Sequence, residues 1–178
     1  IAGYSAGMRI ESLSIVPMLA MGNAMSTFTA QNMGAGKIDR VKEGYRMCYV
    51  IVLTAGAVLC VMYQLAGGAF VSLFLDSGSS EAYSVGLSYV KFLSFFYSFI
   101  GLKASTDGLL RGAGDVTAFT VANLVNLAIR VSVTNLFAPI YGIQVAWMAV
   151  PLGWTANYVI SFGWYLTGKW KKVRVIKK

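Results

Sequence analysis

The chain has 178 residues, of which 57% are hydrophobic and 12% charged, with a mean hydropathy of +0.63. An ordinary soluble domain carries about twice that share of charge, so the composition points to a membrane protein. Six of its 15 basic residues crowd into the last ten positions behind an apolar run, which accounts for much of the net charge of +8. That is the pattern of a flank on anionic lipid rather than of a nucleic-acid interface. Histidine is absent, so the commonest metal ligand and general base is missing. Cys48 and Cys60 form no C-x-x-C pair and are expected as small buried hydrophobes. No metal site, cofactor or enzymatic activity is expected.

Five apolar stretches, about 2–33, 38–66, 80–111, 115–137 and 142–168, reach the roughly 20 residues a spanning helix needs. They predict an all-α, multi-pass membrane protein. In the first helix, Arg9 and Glu11 are two apart, cannot share a face, and are each expected to pair with another helix. Pro17 removes a backbone hydrogen bond and is expected to kink this helix, as Pro151 does the fifth.

The first connection, AQNMGAGK, looks like a phosphate loop. A Walker sequence needs G-x-x-x-x-G-K-[ST] between a strand and a helix, whereas Lys37 precedes Ile38 and both flanks read as helical. The echo RGAGD at 111–115 has the same helical flanks. Both triplets are therefore expected as helix-ending turns, with Asp39 and Asp115 in the first turns or caps of the helices that follow.

Charge sorts the connections into two sets. Lys37, Arg40, Lys42 and Arg46, then Arg111, then Lys169 to Lys178 are basic, while LDSGSSE and APIYGI hold no Lys or Arg. The positive-inside rule places the basic set and the C-terminus in the cytoplasm. Ile1 is then expected outside, which suits a chain preceded by an odd number of further helices.

Charges inside spans mark functional candidates. In the third helix Lys103, Asp107 and Arg111 step by four residues and share a face. Asp107 can pair with either base, as a structural ion pair or as a gate or proton-sensitive site. Phe92, Phe95, Phe96, Tyr97 and Phe99 crowd the same segment, either as packing or, in part, as a surface for flat cations. In the fourth helix Asn123, Asn126, Arg130 and Thr134 form a polar stripe that must face helices or water. Arg130 is expected to anchor an acid, with Asp107 one candidate and an acid outside this chain's helices the other. Trp164 and Trp170 suit an inner aromatic belt, and Tyr141 and Trp147 an outer one.

The stretch from IAGYSAGMRIESLSIVPMLAMG to TAQNMGAGKIDR, with Gln31, Gly34 and Gly36, resembles the eighth helix and following loop of multidrug and toxic compound extrusion (MATE) transporters. LLRGAGD, with Arg111, Gly112 and Gly114, is similar to that family's loop between helices ten and eleven. The resemblance implies helices eight to twelve, most of the C-terminal lobe of a twelve-helix antiporter in a bacterial inner membrane. It implies export of small organic, often cationic, compounds in exchange for Na⁺ or H⁺, with the missing N-terminal lobe and the bilayer as partners. In one branch an aspartate of the tenth helix helps bind the coupling ion. That position is Ile100 here, so the ion is expected to bind outside this fragment or at Asp107. A lipid-linked saccharide flippase of related architecture is the alternative, kept open by Lys103 and Arg130.

Overall fold

A computed structural model describes residues 2–75, 80–142 and 144–172. Among them are six α-helices and no strand. They are α1 (Ala2–Gly34), α2 (Ile38–Ser72), α3 (Ser80–Ser94), α4 (Tyr97–Gly112), α5 (Val116–Tyr141) and α6 (Gln144–Leu166). A 3₁₀ turn follows at Lys169–Lys172. Ile1 and the part of the basic tail at 173–178 lie outside the described residues.

α1, α2 and α5 are each long and apolar enough to cross a bilayer, and α3 and α4 together make a fourth candidate, bent by 51°. α6 has 23 residues, about 34 Å of helix, but Pro151, Asn157 and its tyrosines and tryptophans make it less apolar. α1 and α6 run through Pro17 and Pro151 without interruption.

The bend corrects the expectation of one helix over 80–111. No proline or glycine stands at the break, so the sequence gives no local sign of it. The cause is tertiary. A bend frees backbone carbonyls that must find other donors in an apolar surrounding. Gln64 of α2 donates its amide to the Lys91 carbonyl at 3.0 Å and to Ser94 Oγ at 3.0 Å. Ser94 itself donates to the Lys91 carbonyl at 2.7 Å, and the Phe96 amide closes a tight turn onto the Leu93 carbonyl at 2.8 Å.

α4 is the centre of the bundle, with eleven of its sixteen residues buried. Its approach to α1 is a small-residue seam. Ala104, Gly108 and Gly112 recur every four residues, and Gly22 faces them from α1. A Cβ on Gly108 would overlap the Gly22 carbonyl oxygen, and one on Gly112 the Ser26 carbonyl oxygen. A Cβ on Gly22 would lie 2.6 Å from the Ala104 carbonyl oxygen. In lipid, where hydrophobic burial does not hold helices together, such backbone contact supplies the packing.

Hydroxyls join α2 to α4 and α6. Thr106 bonds both Tyr45 (2.7 Å) and Tyr49 (2.9 Å), and Tyr49 donates to Tyr158 at 3.3 Å. In the other half of the bundle Ser14 of α1 bonds Tyr63 of α2 at 2.6 Å. α5 is peripheral: of its residues only Ala118 and Ala122 are buried.

The basic connections gather at one end. Trp164 donates its indole N–H to Asp115 at 2.7 Å, and Lys169 sits over the Trp164 ring at 5.0 Å. Tyr45, in the second turn of α2, meets Tyr165 at the end of α6 with ring centres 4.6 Å apart. Trp170 is fully buried and donates to the Tyr165 carbonyl at 3.1 Å, so it packs in protein rather than in a lipid belt. Trp147 is likewise buried, against Tyr4 and Tyr89, whereas Tyr141 is exposed as an interfacial tyrosine should be.

Candidate functional site

The two Gly-Ala-Gly segments are turns with the same wiring. In the first, the amides of Ala35, Gly36 and Lys37 reach the carbonyls of Gln31, Met33 and Asn32. In the second, the amides of Ala113, Gly114 and Asp115 reach those of Leu109, Arg111 and Leu110 at the same offsets. The last bond of each set spans five residues, which is the Schellman closure of a helix. Gly36 and Gly114 sit at φ 71° and 83°, a region that glycine enters without a Cβ clash. Gly34 and Gly112 are the last residues of their helices. Asp115 caps α5 by accepting from the Ala118 amide at 3.3 Å, and Asp39 lies in the first turn of α2. The amides that a phosphate loop would aim at a ligand are spent on the backbone.

The centre of interest is the ion pair on α4. Lys103 Nζ lies 3.0 Å from Asp107 Oδ2, with side-chain exposures of 15% and 6%. A buried pair is tolerated only where the remaining lone pairs and protons are also satisfied, and here two further helices do that. Ser161 of α6 donates to Asp107 Oδ1 at 2.7 Å. Asn123 of α5 donates to Asp107 Oδ2 at 3.3 Å and accepts from Lys103 at 3.0 Å. Three side chains, one from each of three helices, thus surround one acid.

Arg111, one turn further along the same face, does not join it. It donates to Asn23 Oδ1 at 2.7 Å and Ser26 Oγ at 3.4 Å on α1, and its guanidinium lies 5.7 Å from the Phe119 ring centre. Between α1, α4 and α5 these groups line a cavity of about 260 Å³, with Asn23, Lys103, Asp107, Arg111 and Asn123 as its polar wall and Leu19 and Phe119 among its apolar one.

The rest of the α5 stripe lies elsewhere. Asn126 Oδ1 is buried without a partner, against the backbone at Gly153 of α6. Arg130 is exposed and rests its aliphatic stem on Gly153. Of the two candidate partners for Arg130, Asp107 is therefore ruled out: no ion pair joins them, and Lys103 holds that acid. Glu11 accepts a hydrogen bond from Tyr89 of α3, as an inter-helix partner was expected to provide, while Arg9 is exposed. Ile100 is buried in the core. The phenylalanines flank the α3–α4 break, where Phe92 and Phe96 meet at 5.3 Å and line an apolar hollow against Met148 and Pro151.

Sequence reasoning missed Ser161 and Asn23. Asn157 and Ser161 stand four apart in α6, and Asn23 lies a turn before Ser26 and Thr27. Polar residues recurring at helical spacing were the signal available. Among the described residues no group of three or more His, Cys, Asp or Glu is placed to hold a metal ion.

A bundle of long apolar helices, packed through glycines around a buried ion pair, defines a multi-pass membrane protein. The family model described as MatE matches residues 1–146, and the chain belongs to that family. It is 28% identical over 176 residues to the probable multidrug resistance protein YpnP of Bacillus subtilis (strain 168), covering 98% of this chain and 39% of that one. It is 22% identical to the probable multidrug resistance protein NorM of Thermotoga maritima, covering 99% and 38%. A 74-residue part is 28% identical to the FAD transporter of Shewanella oneidensis, covering 42% and 16%. The fold matches an inward-facing multidrug resistance MATE family transporter of the MOP superfamily, with a TM-score of 0.81 at 19% identity, over 92% of this chain and 37% of that one. The chain therefore spans under two fifths of the length of the YpnP and NorM proteins it resembles.

Proposed function

We propose that the chain is the greater part of the C-terminal lobe of a multidrug efflux antiporter. In this reading the basic turns face the cytoplasm and the cavity between α1, α4 and α5 opens onto the cleft shared with the N-terminal lobe. Small organic compounds bind in that cleft and leave in exchange for inward Na⁺ or H⁺. The relatives named above support the efflux reading, and the positive-inside distribution supports the orientation. The observation that carries the mechanism is the Lys103–Asp107 pair with Asn123 and Ser161 at the cavity wall.

In this reading the ring around Asp107 is a two-state element. Asp107 is held from three helices, α4, α5 and α6, so any change in its partners alters how those helices pack. An ion or substrate that competes for Asp107 or Lys103 biases the inward–outward equilibrium by its differential affinity for the two arrangements. Ile100 offers the coupling ion no ligand, which leaves Asp107 and the N-terminal lobe to provide one.

The test is gradient-driven drug transport by the full-length transporter in proteoliposomes. Asp107→Asn is expected to lower the rate about tenfold or more, the scale of one lost charge-assisted contact. A rate equal to the parent's would contradict the role given to Asp107. The flippase reading is favoured by one observation, the two bases on the cavity wall. Transport of an anionic lipid-linked sugar in place of organic compounds would select it.

A further inference from the structure

The cavity between α1, α4 and α5 holds unbalanced charge. Its wall has two bases, Lys103 and Arg111, and a single acid, Asp107. That acid is fully committed, since it accepts from Lys103, Ser161 and Asn123. Arg111 meets only neutral acceptors, Asn23 and Ser26, and takes no part in the two ion pairs found among the described residues. It is exposed at the end of the bundle where the basic turns gather. Its guanidinium carbon lies 5.7 Å from the Phe119 ring centre, and its two hydrogen bonds use Nε and Nη2, which leaves Nη1 for a ligand.

A guanidinium offers five donors in a rigid fork, matched to the paired oxygens of a carboxylate or phosphate. Placed in a recess with apolar walls, that fork binds an anion more strongly than it would in bulk water. A cation entering the same recess meets Lys103 and Arg111 together and finds no free carboxylate. At about 260 Å³ the space is smaller than a drug-sized pocket of roughly 300–1,000 Å³, so it takes one group of a compound rather than the whole.

We infer that this cavity is an anion subsite, which receives the carboxylate or phosphate group of an amphipathic ligand with Arg111 as its anchor. The inference rests on the reading of the cavity as part of the transport path. Two sources supply the chemistry: a soluble organic acid, or the headgroup of an anionic lipid of the leaflet beside the basic turns.

The experiment uses the full-length transporter in phosphatidylcholine nanodiscs and a rhodamine dye in two forms, free carboxylic acid and ethyl ester. Both carry the same xanthene cation, so their difference isolates the anionic group. Fluorescence anisotropy is expected to show the acid binding about tenfold more tightly than the ester. Arg111→Gln is expected to shrink that ratio to about twofold or less, while Arg111→Lys, which keeps the charge but not the fork, retains part of it. Repetition in phosphatidylglycerol-rich nanodiscs separates the sources. A carboxylate advantage that disappears there marks the lipid headgroup as the occupant, and an advantage that persists marks a soluble acid; both uphold an anion subsite. Equal or tighter binding of the ester to the unsubstituted protein overturns the inference, and so does an Arg111→Gln variant that weakens both forms alike. If the ester is nevertheless exported, the transport reading stands while the anion subsite falls.

Discussion

Asp107 has more partners than the spacing of its own helix supplies. Lys103 was legible because an i,i+4 base beside an acid needs only helical geometry, and the structure pairs them at 3.0 Å. Arg111 stands at the same spacing on the other side, yet turns to Asn23 and Ser26. Sequence spacing cannot choose between two equivalent neighbours; the choice is made by Ser161 and Asn123, which arrive from other helices on the Lys103 side. The energetic consequence can be measured. Lys103→Met leaves an unpaired buried acid and is expected to destabilise by ~3–5 kcal/mol. Adding Asp107→Leu to it removes the orphaned charge, so the double variant should unfold in detergent at a higher temperature than Lys103→Met alone. A double variant less stable than the single would show that the pair is not energetically closed on itself. Ser161→Ala removes one donor to Asp107 and is expected to cost about 1–3 kcal/mol by the same measurement.

At the scale of elements, the helices were readable from hydropathy and the turns from glycine chemistry, because both depend on local properties of the chain. Gly36 and Gly114 occupy the left-handed conformations that the helix-ending reading requires. The α3–α4 bend was not readable, because one of the two side-chain donors to its freed carbonyl is Gln64, nearly thirty residues upstream on α2. Gln64→Leu leaves Ser94 as the side-chain donor to that carbonyl and is therefore expected to destabilise the bundle by about 0.5–1.5 kcal/mol, the net worth of one hydrogen bond. The α1–α4 seam makes a sharper demand. Gly108→Ala places a methyl into the Gly22 carbonyl, and backbone cannot yield as a flexible side chain does. Thermal unfolding should fall by several degrees or the protein should fail to assemble, whereas Gly34→Ala, where a Cβ meets nothing within 4 Å, should behave as the parent. Equal tolerance at both positions would contradict the seam.

Over the whole molecule, residues 112–115 and 169–172 share one end, held by the Trp164–Asp115 bond and by Lys169 over Trp164, and Tyr45 against Tyr165 brings the start of α2 to the same end. That grouping is what alternating spans demand, and it is legible in the charge asymmetry of the sequence. The tryptophan belts were less readable: Trp147 and Trp170 are buried by neighbouring helices, because an amphipathic ring suits a protein pocket as well as a lipid interface. The proposed orientation predicts that, in intact cells, a membrane-impermeant thiol reagent labels Glu81→Cys and spares Lys37→Cys. The reverse pattern would invert the lobe and place the anion subsite outside.

The central claim is that the cavity bounded by α1, α4 and α5 lies on the path of the exported compound. Leu19 lines it from α1 and is half exposed, so Leu19→Cys samples the cavity without touching the ring around Asp107. In proteoliposomes of the full-length transporter, a polar thiol reagent should block drug transport by this variant but not by the unsubstituted protein, and saturating drug should slow the labelling. Complete labelling with transport undiminished, and no protection by the drug, would show that the compound travels elsewhere.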